Sequence, residues 1–182
     1  MELDPVDRIT TDAVGEPGER VFYLQARKDD ELVTVVVEKQ QVQLLSASIL
    51  EILSRVGKET GLGPDEEEME LEEPVEPLWR AGRLSIGYQE ERDLLLLEVD
   101  ELVDEDAEDV AEEETGLEGL EDLERRGERL RLWATPEQML SLSRHGAVVC
   151  ARGRPPCQFC GNPLDPEGHV CPAMNGHGPA AV

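Results

Sequence analysis

The run of apolar and polar positions places a strand near Asp7 to Val14, and the turn Gly15-Glu16-Pro17-Gly18 ends it. Arg20 to Ala26 and Leu32 to Val37 follow, rich in β-branched and aromatic residues and separated by the charged stretch Arg27 to Glu31. They read as the two arms of a hairpin. After Glu38 the period changes: Val42, Leu45, Ile49, Ile52, Leu53 and Val56 fall on one face of a helix, and Gly57 stops it.

The second half repeats this order. Strands are predicted at Trp79 to Tyr88 and Leu94 to Val103, joined through 89–93, and a third at Glu128 to Ala134. Thr135-Pro136-Glu137-Gln138 supplies an N-cap, a proline at the first helical position and a Gln three residues after the cap. Met139, Leu142, Gly146 and Val149 mark the buried side of that second helix, which Gly153 ends. Laid over the first helix with Gln41-Val42 on Gln138-Met139, Leu45 meets Leu142, Ile49 meets Gly146 and Ile52 meets Val149. Two β-β-β-α units are the reading, although so slight an identity leaves open an accidental match of two strand-to-helix junctions. Either way the fold class is α+β, a mainly antiparallel sheet covered by two helices, with a small zinc-ribbon-like appendage at the C-terminus.

Charge divides the chain further. The formal net charge of −25 is concentrated in two stretches without Lys or Arg, 8 carboxylates between Asp65 and Glu76 and 14 between Asp100 and Glu124. Those 22 leave the remainder at about −3, so acidic linkers at 62–77 and 104–125 are expected to be solvated insertions in an α+β domain spanning 1–153. An acidic mimic of nucleic acid is the sharper alternative for them. A phosphate-backbone binder is disfavoured, because such proteins cluster Lys and Arg; nucleic acid is not an expected partner. One basic patch stands apart: Arg144, His145, Arg152 and Arg154. No run approaches the roughly 20 apolar residues that cross a bilayer, and Met1 to Asp7 lacks the basic-then-apolar plan of a secretory signal. The reading is cytoplasmic, where closely spaced cysteines bind metal more often than they form disulfides.

The tail, 154–182, carries the chemistry. Between Pro155 and Gly168 four prolines and two glycines leave little regular structure, so the segment needs a staple. Cys157-x2-Cys160 followed by Gly161 has the shape of a zinc knuckle, and Cys171 returns as a third thiolate. His177, with Gly176 beside it, completes Cys-x2-Cys-x10-Cys-x5-His; His169 and Cys150 are the other candidates for the fourth position. Three thiolates and one imidazole form a closed site, which is structural rather than catalytic. A redox pair at Cys157 and Cys160 fits poorly, since such pairs begin a helix after a strand.

Other catalytic patterns are weak: Ser141, Ser143 and His145 share a helix with no acid placed to orient the imidazole, and there is no glycine-rich phosphate loop. Several stretches taken together are informative. Trp133-Ala-Thr-Pro-Glu-Gln-Met139, Gly153-Arg-Pro-Pro-Cys-Gln-Phe-Cys-Gly-Asn-Pro-Leu-Asp-Pro-Glu-Gly-His-Val-Cys-Pro172 and Asn175-Gly-His177 resemble domain-of-unknown-function family 3090 of uncharacterised bacterial proteins. The openings Leu3-Asp-Pro-Val-Asp-Arg-Ile-Thr10 and Gly15-Glu-Pro-Gly-Glu-Arg-Val-Phe-Tyr-Leu-Gln-Ala26 fit it too. The resemblance implies a shared tail motif of Cys157, Cys160, Cys171 and His177 and no established activity; Gln158 stands where a knuckle often has proline. The expected function is a zinc-binding, non-enzymatic adaptor for a partner protein or small anionic ligand. The alternative is an enzyme for a phosphorylated metabolite or nucleotide, with Arg144, Arg152 and Arg154 as anion clamps and His145 as acid or base.

Overall fold

A computed structural model of the protein describes residues 1–58, 69–103, 127–153, 157–162, 164 and 171–172. The elements follow in the order β1 (Glu2–Leu3), β2 (Arg8–Val14), β3 (Val21–Lys28), β4 (Glu31–Val37), α1 (Lys39–Arg55), β5 (Ala81–Gln89), β6 (Leu94–Glu101), β7 (Arg129–Ala134) and α2 (Pro136–Ala151). The α+β class and the mainly antiparallel pairing hold. β1, which the sequence did not reveal, is two residues long and pairs in parallel with β7.

The strands form two sheets, β2-β3-β4 and β1-β7-β6-β5. The β3–β4 and β5–β6 hairpins each turn through an aspartate in the left-handed region, Asp29 (φ 51°) and Asp93 (φ 52°), a conformation Asp tolerates better than most side chains. The sheets are joined at both ends. On one side the Val36 N–H donates to Trp79 O (2.9 Å) and the Leu78 N–H to Thr34 O (2.9 Å); on the other the Val6 N–H donates to Trp133 O (2.8 Å) and the neighbouring Asp7 N–H to Arg27 O (2.8 Å). Leu24, Val35, Leu95, Leu97, Val99 and Leu132 fill the space between the sheets and the helices, with Ile49 of α1 and Met139, Leu142 and Val149 of α2. α1 and α2 pack against each other, α2 on β2 and α1 on β5. At the helix crossing the Ser143 hydroxyl donates to Ser46 O at 2.8 Å.

The start of α2 is the capping box that the sequence announces: the Gln138 N–H donates to Thr135 Oγ1 (3.3 Å) and the Thr135 N–H to Gln138 Oε1 (2.9 Å). The first acidic stretch differs from expectation over part of its length. Met69 is only 3% exposed, and Thr10 Oγ1 donates to its carbonyl. Gln25 and Glu72 exchange two hydrogen bonds, 3.0 and 2.8 Å, and the Glu72 carboxylate meets Arg8 and Arg27, each at 3.2 Å. Met69 to Glu72 is thus a strap across β2 and β3, because that face presents amide, hydroxyl and guanidinium groups that its backbone and carboxylate satisfy. The second acidic stretch from 104, and the neighbouring 59–68, lie outside the described residues.

Candidate functional site

The sulfurs of Cys157, Cys160 and Cys171 lie within 4.8 Å of one another. Cys157 and Cys171 are buried and Cys160 is half-buried. Residues 157–162 form a tight turn: the Gly161 N–H donates to Cys157 O (2.9 Å), the Cys157 N–H donates to Asn162 O (2.7 Å), and the Phe159 N–H points at Cys157 Sγ (3.5 Å). Gly161 has φ 74°, a conformation open to glycine at little cost. The sequence folds this way because Gly161 lets the chain double back beneath the two cysteines, and an N–H aimed at sulfur favours the thiolate.

This geometry fits a tetrahedral ion. Two thiolates at about 2.3 Å from one zinc stand about 3.8 Å apart, and Cys157 Sγ and Cys171 Sγ are 3.8 Å apart. The rest of the cluster needs to close by no more than about 1 Å. Desolvation, together with the sulfurs of Cys171 and Cys157, pushes the Cys160 thiol up against the lowering pull of the Asn162 backbone. A bound cation reverses that balance by favouring thiolates.

Cys150 is not in the cluster. It is buried on α2 with its sulfur 3.8 Å from Lys39 O, and burial pushes its thiol up. It therefore behaves as a small core residue. His169 and His177 lie outside the described residues, as does Arg154.

Of the basic patch, Arg144 is exposed while His145 is buried, and His145 Nε2 stands 3.9 Å from Asp12 Oδ2 with no hydrogen-bond partner among the described residues. The reason is helical spacing: His145 falls three residues after Leu142 and four before Val149, on the buried stripe, and Arg144 does not. Burial pushes the Asp12 carboxyl up, but the His145 ring, the Ala13 N–H and the charge of Arg152 outweigh it and hold Asp12 below its usual range. Two cations the sequence did not single out come to this end of α2. Lys39 Nζ and Arg20 Nη2 lie 3.1 and 3.4 Å from where a Gly153 Cβ would stand, and Arg20 Nη1 donates to Val149 O (3.4 Å). They complement the negative end of the helix dipole.

A second feature is an open groove of about 310 Å³ between α1 and β5, with Leu44, Leu45, Leu84 and Ile86 among its walls. Leu44 lies off the helical stripe that the sequence singled out and is 61% exposed. No helix among the described residues is long and apolar enough to cross a membrane.

The model of the family described as "Protein of unknown function (DUF3090)" matches residues 1–171. No curated protein and no solved structure matches the chain. The chain belongs to that family.

Proposed function

We propose that this family member is a cytoplasmic, non-enzymatic binding module whose tail is ordered by a structural zinc ion held by Cys157, Cys160, Cys171 and His177. The observation that carries the reading is the cluster of three sulfurs within 4.8 Å of one another, with Cys157 and Cys171 at the 3.8 Å that two thiolates on one zinc take. An imidazole closes the tetrahedron and leaves no position for water or substrate, so the metal supplies folding energy rather than chemistry. His177 is preferred to His169 because five residues with Gly176 among them let the chain curl back to the ion. His169, two residues before Cys171, requires neighbouring side chains of one bent segment to converge.

The binding role is supported by the apolar, open groove beside α1, the kind of surface that takes a partner rather than a reacting small molecule. The rival enzyme reading asks His145 to meet a substrate, whereas its ring is buried against Asp12. Elemental analysis of fully reduced protein purified without chelator is expected to give about one zinc per chain. Metal-free protein from that preparation overturns the reading.

A further inference from the structure

The two halves of the fold differ at one seam. Where α2 meets β2 and α1 the packing is closed: Thr11 of β2 and Ser46 and Val42 of α1 all come within 3.1 Å of where a Gly146 Cβ would stand. The corresponding seam, α1 against β5, is tied by hydrogen bonds at its two ends among the described residues. Gln41 Nε2 donates to Ala81 O (3.2 Å) and Gly82 O (2.9 Å), and past the far end of α1 Lys58 Nζ meets Asp93 (2.6 Å), which also accepts from the Tyr88 hydroxyl (2.8 Å). Between these ties lies the groove.

Five consecutive residues of β5, 82–86, line it. Alternate residues of a strand point to opposite faces, so a groove touching all five runs along the edge of the strand rather than over one face. β5 ends its sheet, and among the described residues no strand pairs with its outer edge beyond the bridge from Val36 to Arg80, although Gln41 takes the Ala81 and Gly82 carbonyls. From Arg83 on, such an edge presents N–H and C=O groups to an added strand. Beside it Arg83 is exposed and has no ion-pair partner among the described residues, in a chain of net charge −25. Leu44 overhangs from the helix side.

We infer that this groove docks an extended peptide segment of a partner protein, apolar at alternate positions and carrying an acidic residue, which adds as a strand to β5. The inference rests on the binding-module reading. Main-chain hydrogen bonds to the edge supply affinity, and apolar side chains seated against Leu44, Leu84 and Ile86 supply selectivity. Arg83 selects the acidic residue by charge complementarity.

The test pans a random linear peptide library, displayed on phage, against the full zinc-loaded chain; enriched peptides are then synthesised and titrated by fluorescence anisotropy. The consensus is expected to alternate apolar residues and to include Asp or Glu. Leu44→Glu is expected to weaken binding tenfold or more, and Arg83→Glu to shift the selected charge to Lys or Arg. Both side chains are exposed, so unchanged melting temperatures certify the fold. Bound peptide is expected to slow amide exchange along 83–88. Failure of any peptide to enrich, indifference to Leu44→Glu, or a consensus without acidic residues overturns the inference. So does sedimentation showing a dimer that Leu44→Glu dissociates, which assigns the groove to a second copy. Zinc content measured on the same sample separates the two readings: a zinc-loaded chain that selects nothing sinks the groove alone, and a metal-free chain that selects peptides sinks the zinc site alone.

Discussion

Gln41 and Gln138, the third residues of α1 and α2, perform the same two tasks on opposite sides of the molecule. Each accepts the N–H of the residue preceding its own helix through Oε1, at 2.7 Å from Glu38 and 2.9 Å from Thr135. Each donates through Nε2 to two consecutive carbonyls leading into or opening the first long strand of the other half, Ala81 and Gly82 for Gln41, Val6 and Asp7 for Gln138. Ser46 and Ser143, five residues after each glutamine, meet at the helix crossing. The seams at Val36 with Trp79 and at Trp133 with Val6 fall on the same offset in the backbone, with Val36 donating its N–H where Trp133 accepts through its carbonyl. Three coincident correspondences on one offset favour two related β-β-β-α units over an accidental match of junctions, with each helix start fastening the next unit in the ring.

Gln138→Ala is accordingly expected to lower stability by about 1–2 kcal/mol, since it removes half a capping box and two cross-links. Gln138→Glu keeps the acceptor but sets a carboxylate oxygen against the Val6 and Asp7 carbonyls. It should cost more than the alanine at pH 7 and recover near pH 4, where a Glu with an ordinary pKa of about 4.3 gains a proton. Urea denaturation at the two pH values checks this. A glutamate variant no worse than alanine at pH 7 removes the cross-linking role.

Gly146 occupies the place that Ile49 holds in the first unit, and the crossing of the helices depends on its lacking a side chain. A Cβ there would stand 2.9 Å from Ser46 Oγ, 3.0 Å from Val42 Cγ1 and 3.1 Å from Thr11 Cγ2. Gly146→Ala gains about 1 kcal/mol of helix propensity but overpacks three buried neighbours, which costs about 1–3 kcal/mol. The expected result is net destabilisation, partly restored by adding Ser46→Ala, which removes the nearest atom. Thermal melts of the single and double variants form the cycle; additive losses place the strain elsewhere.

The long strands and both helices were readable along the chain because their apolar periods are sustained and Thr135 to Gln138 carries capping chemistry. β1 was not, since two residues cannot display a period; it exists only through pairing with β7. Nor could the alignment of Gln41 with Gln138 show what each amide grips, because the carbonyls belong to segments distant in sequence. The strap from Met69 to Glu72 was hidden by composition: its carboxylates read as solvated until Arg8 and Arg27 appear across from Glu72. In the candidate site the cysteine spacing was informative because a knuckle is local, whereas grouping His145 with Arg144 by proximity in sequence overlooked the helical stripe that separates them. The groove escaped notice because an open seam is a property of two packed elements.

Asp12 links pH to stability at the α2/β2 seam. Its folded pKa lies below the ordinary value, so its contribution is present above the unfolded carboxylate range, near pH 4, and is lost as pH falls through the lowered folded value. Asp12→Asn should therefore reduce the melting temperature at pH 6 and have a diminishing effect toward pH 2. A difference from wild type that does not shrink with acid means the carboxylate is not stabilised by His145 and Arg152.

Thiol reactivity separates the metal ligands from Cys150, and chelator competition separates His177 from His169. Burial pushes the Cys150 thiol up and α1 covers it, so it should resist a thiol reagent at pH 7.5 until the protein unfolds. Cys157, Cys160 and Cys171 should be protected by zinc and react promptly once a chelator removes it. Cys150→Ser should leave zinc content unchanged. His177→Ala should weaken zinc binding strongly in chelator competition, while the α+β domain keeps its melting transition, because that domain has its own apolar core and the tail depends on the ion. His169→Ala should change metal affinity little. If His169→Ala loses the metal and His177→Ala keeps it, the fourth ligand is His169. Protein whose Cys157, Cys160 and Cys171 react at one rate with or without chelator has no metal centre there.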